Sequence, residues 1–487
     1  MCLKRCMIIL LLLSMLCALC ACGKQESAET ETPAETAENT QAVELPSEDS
    51  RVTALPDGTR TLGFYTDNEL FETIPAPEAG LFGFVRECNS TCYSASYTGI
   101  TKEDYDAYVQ LLVSKGFDFF ADSGEQGING DVFYSAVQQD ELTVHLVFQR
   151  LQDRLTLIAG KKEKLSPRMK KSDVSTPADP AAINSMLMLD TAQCGGMSLF
   201  FRLKNGHFLI WDGAELASDA QNLIDHLYEM TPEGEKPVID GWFLTHTHDD
   251  HFGSMRAIGD RKDLSDKIII NGIYFNEPDS TWIKYENAGG SDSVKMLALV
   301  TEDENGNHPE IYRTVMGQRL YFDDVTVEIV ASTDFVPYDN SRGDFNDTST
   351  MAMVLLDGQK VLITGDAEEA AQYMMTESIG HEYFDIDVYQ TPHHGLAVLF
   401  GFVDQCPAIH TVLQDQRFLL DSYSDRGAVP YLMEHCDEYY NMKNGTLRLD
   451  FPYKTGSIQV LGNDFLTYPE WDQYKNDFIK DLNLEAN

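Results

Sequence analysis

Four side chains able to bind a metal ion fall within six residues of one stretch, Leu244-Thr-His-Thr-His-Asp-Asp-His-Phe-Gly253: His246, His248, Asp250 and His251. The apolar positions Val238, Ile239, Trp242, Phe243 and Leu244 just before them read as a buried strand, and a helical pattern opens on the Gly253 side. At a strand's end, residues i and i+2 point the same way, so His246 and His248 can grip one ion together. Asp250 and His251 fall in the following turn and face a second ion nearby. Imidazole and carboxylate suit zinc and its first-row neighbours, manganese included. A loop rich in His by chance is the plain alternative, but only 12 of 487 residues are His, which speaks against so dense a run.

Two later segments add chemistry. Val361-Leu-Ile-Thr-Gly-Asp366 is a strand ending in a carboxylate, and Gly365 leaves room for close approach. Asp366 also suits the N-cap of a helix opening at Ala367-Glu-Glu369, and one oxygen could serve each role. Pro392-His393-His394-Gly395 follows the apolar run Ile386 to Tyr389. Adjacent side chains diverge, so one of these histidines is expected as a ligand and the other as a general acid touching the leaving group. His394 is favoured as the ligand because it adjoins Gly395, which leaves His393 as the catalytic proton donor beside Asp250.

His246-Thr-His248-Asp-Asp250-His251 resembles the His-x-His-x-Asp-His signature of the metallo-β-lactamase superfamily. The resemblance implies that Asp366 is the strand-end carboxylate bridging two divalent metal ions and that the His-His pair holds the late histidine ligand. A His-His-Gly at that place, with Asn346-Asp-Thr-Ser349 ahead of the strand Met351 to Leu356, is similar to the ComEC-like branch, which includes bacterial surface phosphodiesterases. The implied fold is α/β, an αββα four-layer sandwich. One departure stands out: no separate histidine occupies a strand end between the first cluster and Asp366. His308 lies in the polar loop Thr301-Glu-Asp-Glu-Asn-Gly-Asn-His308 and reads as solvated, so Asn346 or Ser349 is expected to stand in.

Around this centre the chain divides into recognisable parts. Residues 1–22 read as a lipoprotein signal: Lys4 and Arg5, then the apolar Met7 to Leu19, then Leu-Cys-Ala-Cys22, with Cys22 as the lipidated residue. Residues 23–59 form an acidic, aromatic-poor tether unable to bury enough apolar surface to order itself. Residues 60–165 read as a small α+β domain without ligand clusters. Its expected strands are Leu81 to Arg86 and Ser94 to Thr98, with a helix capped at Thr101-Lys-Glu-Asp104 and a hairpin at Leu142 to Gln149 and Leu155 to Ala159. Residues 180–465 are the hydrolase domain, and 466–487 a C-terminal tail. Asn276 to Gly317 reads as a long polar excursion within it.

The formal net charge of −42, or −44 once Lys4 and Arg5 leave with the signal, argues against an extended nucleic-acid-binding surface. It does not exclude a small-molecule or polymer phosphodiester substrate, because bound dications reverse the local sign. After signal removal and acylation of Cys22, five cysteines remain: Cys88, Cys92, Cys194, Cys406 and Cys436. Cys88 and Cys92 are spaced closely enough to bridge in an exported protein. The expected function is therefore metal-dependent hydrolysis of phosphodiesters by a protein lipid-anchored to the outer face of the bacterial membrane. The alternatives are hydrolysis of an acyl bond, such as a lactone, thioester or β-lactam, and a binding lipoprotein stabilised by metal without turnover. Structural metal sites tend to be closed and mononuclear, so the full ligand set disfavours the last.

Overall fold

The computed structural model describes residues 52–54, 60–62 and 70–465, apart from 72, 90–91, 172–180, 193–195, 279–288, 336–344, 415–427, 442–444 and 463. The signal, most of the tether, Cys194 and the C-terminal tail lie outside the described residues. No described helix is long and apolar enough to cross a membrane.

Two sheets face each other across the larger, C-terminal part of the described chain. The first runs, in order, Glu310–Tyr312, Gly272–Tyr274, Val238–Phe243, Phe208–Asp212, Ser198–Arg202, Ser185–Met188, Thr446–Asp450 and Gln459–Gly462. The second runs Arg319–Phe322, Val325–Ala331, Met351–Leu356, Gln359–Ile363, Asp385–Gln390, Ala408–Gln414 and Glu438–Asn441. Alternate residues of the first sheet point to opposite faces, and both faces are buried. Leu199, Phe201, Leu209, Trp211 and Phe243 join the core between the sheets. Phe200, Ile210 and Trp242 instead meet the helices Ala217–Glu229, Asp249–Asp260 and Gly290–Val300 through Leu223, Met255 and Leu297. On the second sheet, the helix Glu369–Ser378 contributes Ala371 and Met375 to the shared core. The result is the expected αββα sandwich.

Across the first sheet, Trp211, Phe243 and Tyr274 stack ring on ring at 4.5 Å. Truncating such a buried ring typically costs about 3–5 kcal/mol. The stack underpins the strand that delivers the first His cluster.

The polar excursion is more structured than the sequence suggests. It contains the helix Gly290–Val300, which carries the apolar run Met296-Leu-Ala-Leu-Val300, and the strand Glu310–Tyr312.

The preceding α+β domain is a six-stranded antiparallel sheet covered on one face by the helix Lys102–Ser114. A capping box at its start pairs Thr101 with Asp104. Two strands, Asp118–Asp122 and Val132–Gln139, were not anticipated. Tyr105, Tyr108 and Leu112 pack on one face of the sheet. Ile158, Tyr134 and Val132 on the other join the core between the two sheets of the sandwich. Gln149 Nε2 donates to Ser378 Oγ at 2.8 Å, and Gly380 N donates to Asp131 Oδ2 at 2.8 Å across this junction.

Candidate metal centre

The polar residues gather at the carboxyl ends of parallel strands from both sheets. Val238–Phe243 leads into the His cluster, Gln359–Ile363 into Asp366, and Asp385–Gln390 into His393 and His394. The helix Asp249–Asp260 begins earlier than its Gly253 suggested, so Asp250 and His251 sit in its first turn. Gly253 is required there: a Cβ would lie 2.1 Å from the Glu215 carbonyl oxygen.

Asp250, His251, Asp366 and His394 each offer a ligand atom within 4.8 Å of all the others. His251 Nε2 lies 3.1 Å from Asp366 Oδ2, and His394 Nε2 lies 3.4 Å from the same oxygen and 3.3 Å from Asp250 Oδ2. His246 Nε2 stands 4.0 Å from Asp366 Oδ2 and 3.0 Å from His248 Nδ1. The cluster thus draws its carboxylates and imidazoles from three segments far apart in sequence, with the His246–His248 pair at its border. Phe345 packs 5.0 Å from the His248 ring.

Two atoms in this cluster are buried without a hydrogen-bond partner: His251 Nε2 and Asp366 Oδ1. Orphaned buried polar atoms are costly unless something binds them. Two imidazoles and two carboxylates form a donor set suited to a divalent first-row ion. Burial opposes ionisation of Asp366, but the neighbouring His251 and His394 outweigh it and hold the carboxyl well below its usual range. Burial likewise opposes charge on His251, while Asp366, Asp250 and Asp212 push its pKa well above the ordinary value. Anionic oxygens around one imidazole are a setting in which a cation can replace the proton. The residues fit a metal.

Several supporting residues were not legible beforehand. Asp212, fully buried at the end of Phe208–Asp212, accepts from His251 Nδ1 at 2.7 Å, from Thr245 N at 2.7 Å and from Thr245 Oγ1 at 2.7 Å. It fixes the His251 ring with Nε2 toward the cluster. Gln390 Oε1 accepts from Thr364 N at 2.8 Å and Gly365 N at 3.0 Å, and so shapes the turn before Asp366. Gly365 adopts φ +55°, and a Cβ there would come within 2.7 Å of Thr245. Asp366 does not cap the helix Glu369–Ser378; Glu368 occupies that place.

His393 and His394 do diverge, by a route other than extended-chain alternation. Both take left-handed backbone conformations, φ +46° and +55°, and His393 N donates to Gly365 O at 3.1 Å. Such conformations cost of order 1 kcal/mol or more each and concentrate at functional sites. His394 turns into the cluster. His393 pairs through Nδ1 with Glu368 Oε1 at 2.5 Å and lies 3.3 Å from Asn346 Nδ2. Burial lowers the His393 pKa, but the Glu368 hydrogen bond and the Asp366 charge leave it raised overall. Ser349 Oγ accepts from Asp366 N at 3.1 Å. Asn346 thus borders the cluster through His393, and Ser349 borders it through the Asp366 backbone. His308 is exposed and bonded to the Thr301 carbonyl, away from the site.

A second grouping, His207, Asp240 and Glu304, lies at the amino ends of the same parallel strands. Arg168 pairs with Asp240 at 2.9 Å and neutralises it.

Residues 233–399 match the model of the metallo-beta-lactamase superfamily. Among solved structures, the chain is similar to the metallo-beta-lactamase fold protein YhfI from Bacillus subtilis, at 12% identity over 47% of this chain and 85% of that one, with a TM-score of 0.30. It is also similar to a diphosphatase from the PhnP family, at 12% identity over 55% of this chain and 98% of that one, with a TM-score of 0.30. A third similar structure is a long form RNase Z from yeast, at 10% identity over 60% of this chain and 51% of that one, with a TM-score of 0.33. No curated protein matches the chain.

Proposed function

We propose that this chain, which carries a metallo-β-lactamase superfamily domain, hydrolyses phosphodiester bonds with two divalent metal ions, zinc or manganese, in the manner of the ComEC-like branch. The observation that carries the reading is the convergence of Asp250, His251, Asp366 and His394 around two orphaned buried ligand atoms. His246 and His248, beside Asp366, are the proposed further ligands. Divalent ions at these groups supply Lewis acidity and a lowered water pKa.

The chain's own residues do the rest. Asp250, with a side chain 31% exposed beside the buried histidines, orients the attacking water and takes its proton. Asp212 keeps His251 in one tautomer and orientation. With its Nδ1 held by Glu368, His393 presents Nε2 to the leaving oxygen and donates the proton that a poor leaving group needs. An alkoxide leaving from a phosphodiester is such a group and a thiolate is not, which favours this reading over cleavage of a thioester.

The test is turnover of the metal-loaded chain on a phosphodiester, a phosphomonoester, a lactone and a cephalosporin. The proposal expects the highest kcat/KM on the phosphodiester. A preference for the lactone or cephalosporin would overturn it, and no turnover on any would favour a binding role.

The same proposal places the enzyme at the outer face of the membrane, held by a lipid on Cys22. The supporting features are the charged start, the apolar stretch and the Ala21-Cys22 junction. Cys22→Ala should free the protein from the membrane fraction or block signal removal; unchanged attachment with an unmodified Cys22 would refute the anchor.

A further inference from the structure

At the end of the hairpin formed by Leu81–Asn89 and Cys92–Thr98, two cysteines meet away from the metal centre. Glu87 pairs with Tyr93 and Asn89 pairs with Cys92, so Cys88 is the extra residue of a β-bulge. A bulge breaks the usual alternation of faces, which lets Cys88 share a side of the sheet with Cys92. Both residues are buried, 3% and 4% exposed, and both belong to the core shared with the hydrolase domain. A hydrogen bond with Cys92, then burial, holds the Cys88 thiol well above its usual pKa, and Asp334 and Arg313 also act on it.

What the two thiols face is a clamp between domains. Arg313 pairs with Asp334, and Asn276 Nδ2 donates to the same carboxylate at 2.7 Å. Arg86, two residues before Cys88, donates to the carbonyls of Thr333 and Asp334. The hairpin end is therefore seated on the turn Thr333–Phe335 of the hydrolase domain.

We propose that Cys88 and Cys92 are a disulfide site, joined when the chain folds in oxidising conditions, and that the bond ties the two strands of the hairpin together at the end that rests on this turn. The oxidant is a small-molecule disulfide such as oxidised glutathione. One cysteine thiolate attacks a glutathione sulfur and expels a glutathione thiolate, forming a mixed disulfide. The second cysteine then displaces the other glutathione, so the protein loses two hydrogens and two reduced glutathiones leave. In the folded chain both thiols are buried out of reach of an oxidant, and the Cys88 thiol is also held protonated, which makes it a poor nucleophile. Exchange therefore belongs to folding, before the pair is covered, and the same burial then shields the bond from reductants.

The experiment needs no variant. The full chain is unfolded, refolded in a buffer of oxidised and reduced glutathione, denatured, alkylated with N-ethylmaleimide and digested with trypsin. Cleavage after Arg86 and Lys102 releases both cysteines on the one peptide from Glu87 to Lys102. That peptide is expected without adducts and two hydrogens lighter than its reduced form, taking up two adducts only after reduction. One or two adducts without reduction would overturn the proposal. Chain folded in reductant and only then exposed to oxidised glutathione should form the bond at least tenfold more slowly than chain refolding in the same buffer. Equal rates would overturn the assignment of the step to folding.

Discussion

His251 is held from behind by Asp212: its Nδ1 donates to the Asp212 carboxylate at 2.7 Å, while its Nε2 points at Asp366, 3.1 Å away. The pair is wholly buried, and Thr245 supplies the two further hydrogen bonds that keep the carboxylate in place. Asp212→Asn keeps the shape but replaces an acceptor with an amide that can present a donor to the ring. Metal affinity should fall about 10- to 100-fold, as for other carboxylates behind a ligating histidine. Competition with a chelator dye measures it, and an unchanged affinity would remove the orienting role.

The two adjacent histidines should separate by their effects. His394→Ala loses a member of the four-residue cluster, so metal content and turnover should fall together. His393→Ala should retain metal yet lose turnover by about a hundredfold or more on an alkyl phosphodiester. A nitrophenyl ester, whose leaving group needs no proton, should largely rescue His393→Ala and not His394→Ala. Equal metal loss in both, with no rescue, would refute the division of labour.

Gly365 joins the strand Gln359–Ile363 to Asp366 in a left-handed conformation, with Thr245 against it. In Gly365→Ala, backbone strain and the close approach to Thr245 should together cost about 1–3 kcal/mol of stability. Thermal unfolding of the two proteins under identical metal loading tests this, and an unchanged Tm would show that the turn relaxes freely.

Much of this site was legible because its ligand residues stand in short runs at strand ends. His246, His248, Asp250 and His251 declare themselves by spacing, and Asp366 and His394 by the apolar strands that precede them. Asp212 was not legible, because its partner His251 is 39 residues away and a strand-end Asp before Gly213 reads equally well as turn chemistry. Gln390 and Glu368 were hidden for the same reason: their roles exist only once the second sheet has closed around Thr364 and His393. The backbone turn at His393 and His394 is imposed by tertiary structure, against the residues' own preference. In the first domain, Val132–Gln139 escaped notice because both of its faces are buried, leaving no alternation to see.

Outside the proposed metal centre, His226 pairs with Asp464 at 3.0 Å and with Glu229 at 3.0 Å. Burial lowers the His226 pKa, but the Asp464 hydrogen bond and charge raise it overall; burial raises the Asp464 pKa, but His226 leaves it lowered. A raised histidine stabilises fully below its unfolded value of about 6.5 and loses that contribution as pH rises through its folded value. A lowered aspartate stabilises fully above about 3.9 and loses its contribution as pH falls through its folded value. The stability difference between wild type and His226→Gln should therefore be largest between about pH 4 and 6.5 and shrink on either side. A difference independent of pH would show that the pair packs without ionising.

The most direct measurement is the metal content of purified wild type beside that of Asp366→Ala, by elemental analysis after equilibration with zinc or manganese and removal of free ion. Asp366 faces His246, His251 and His394 at once, so its carboxylate is the one group shared by all parts of the proposed centre. The account expects close to two equivalents in wild type and a steep fall in Asp366→Ala. Wild type without bound metal, or a content unaffected by the substitution, would contradict it.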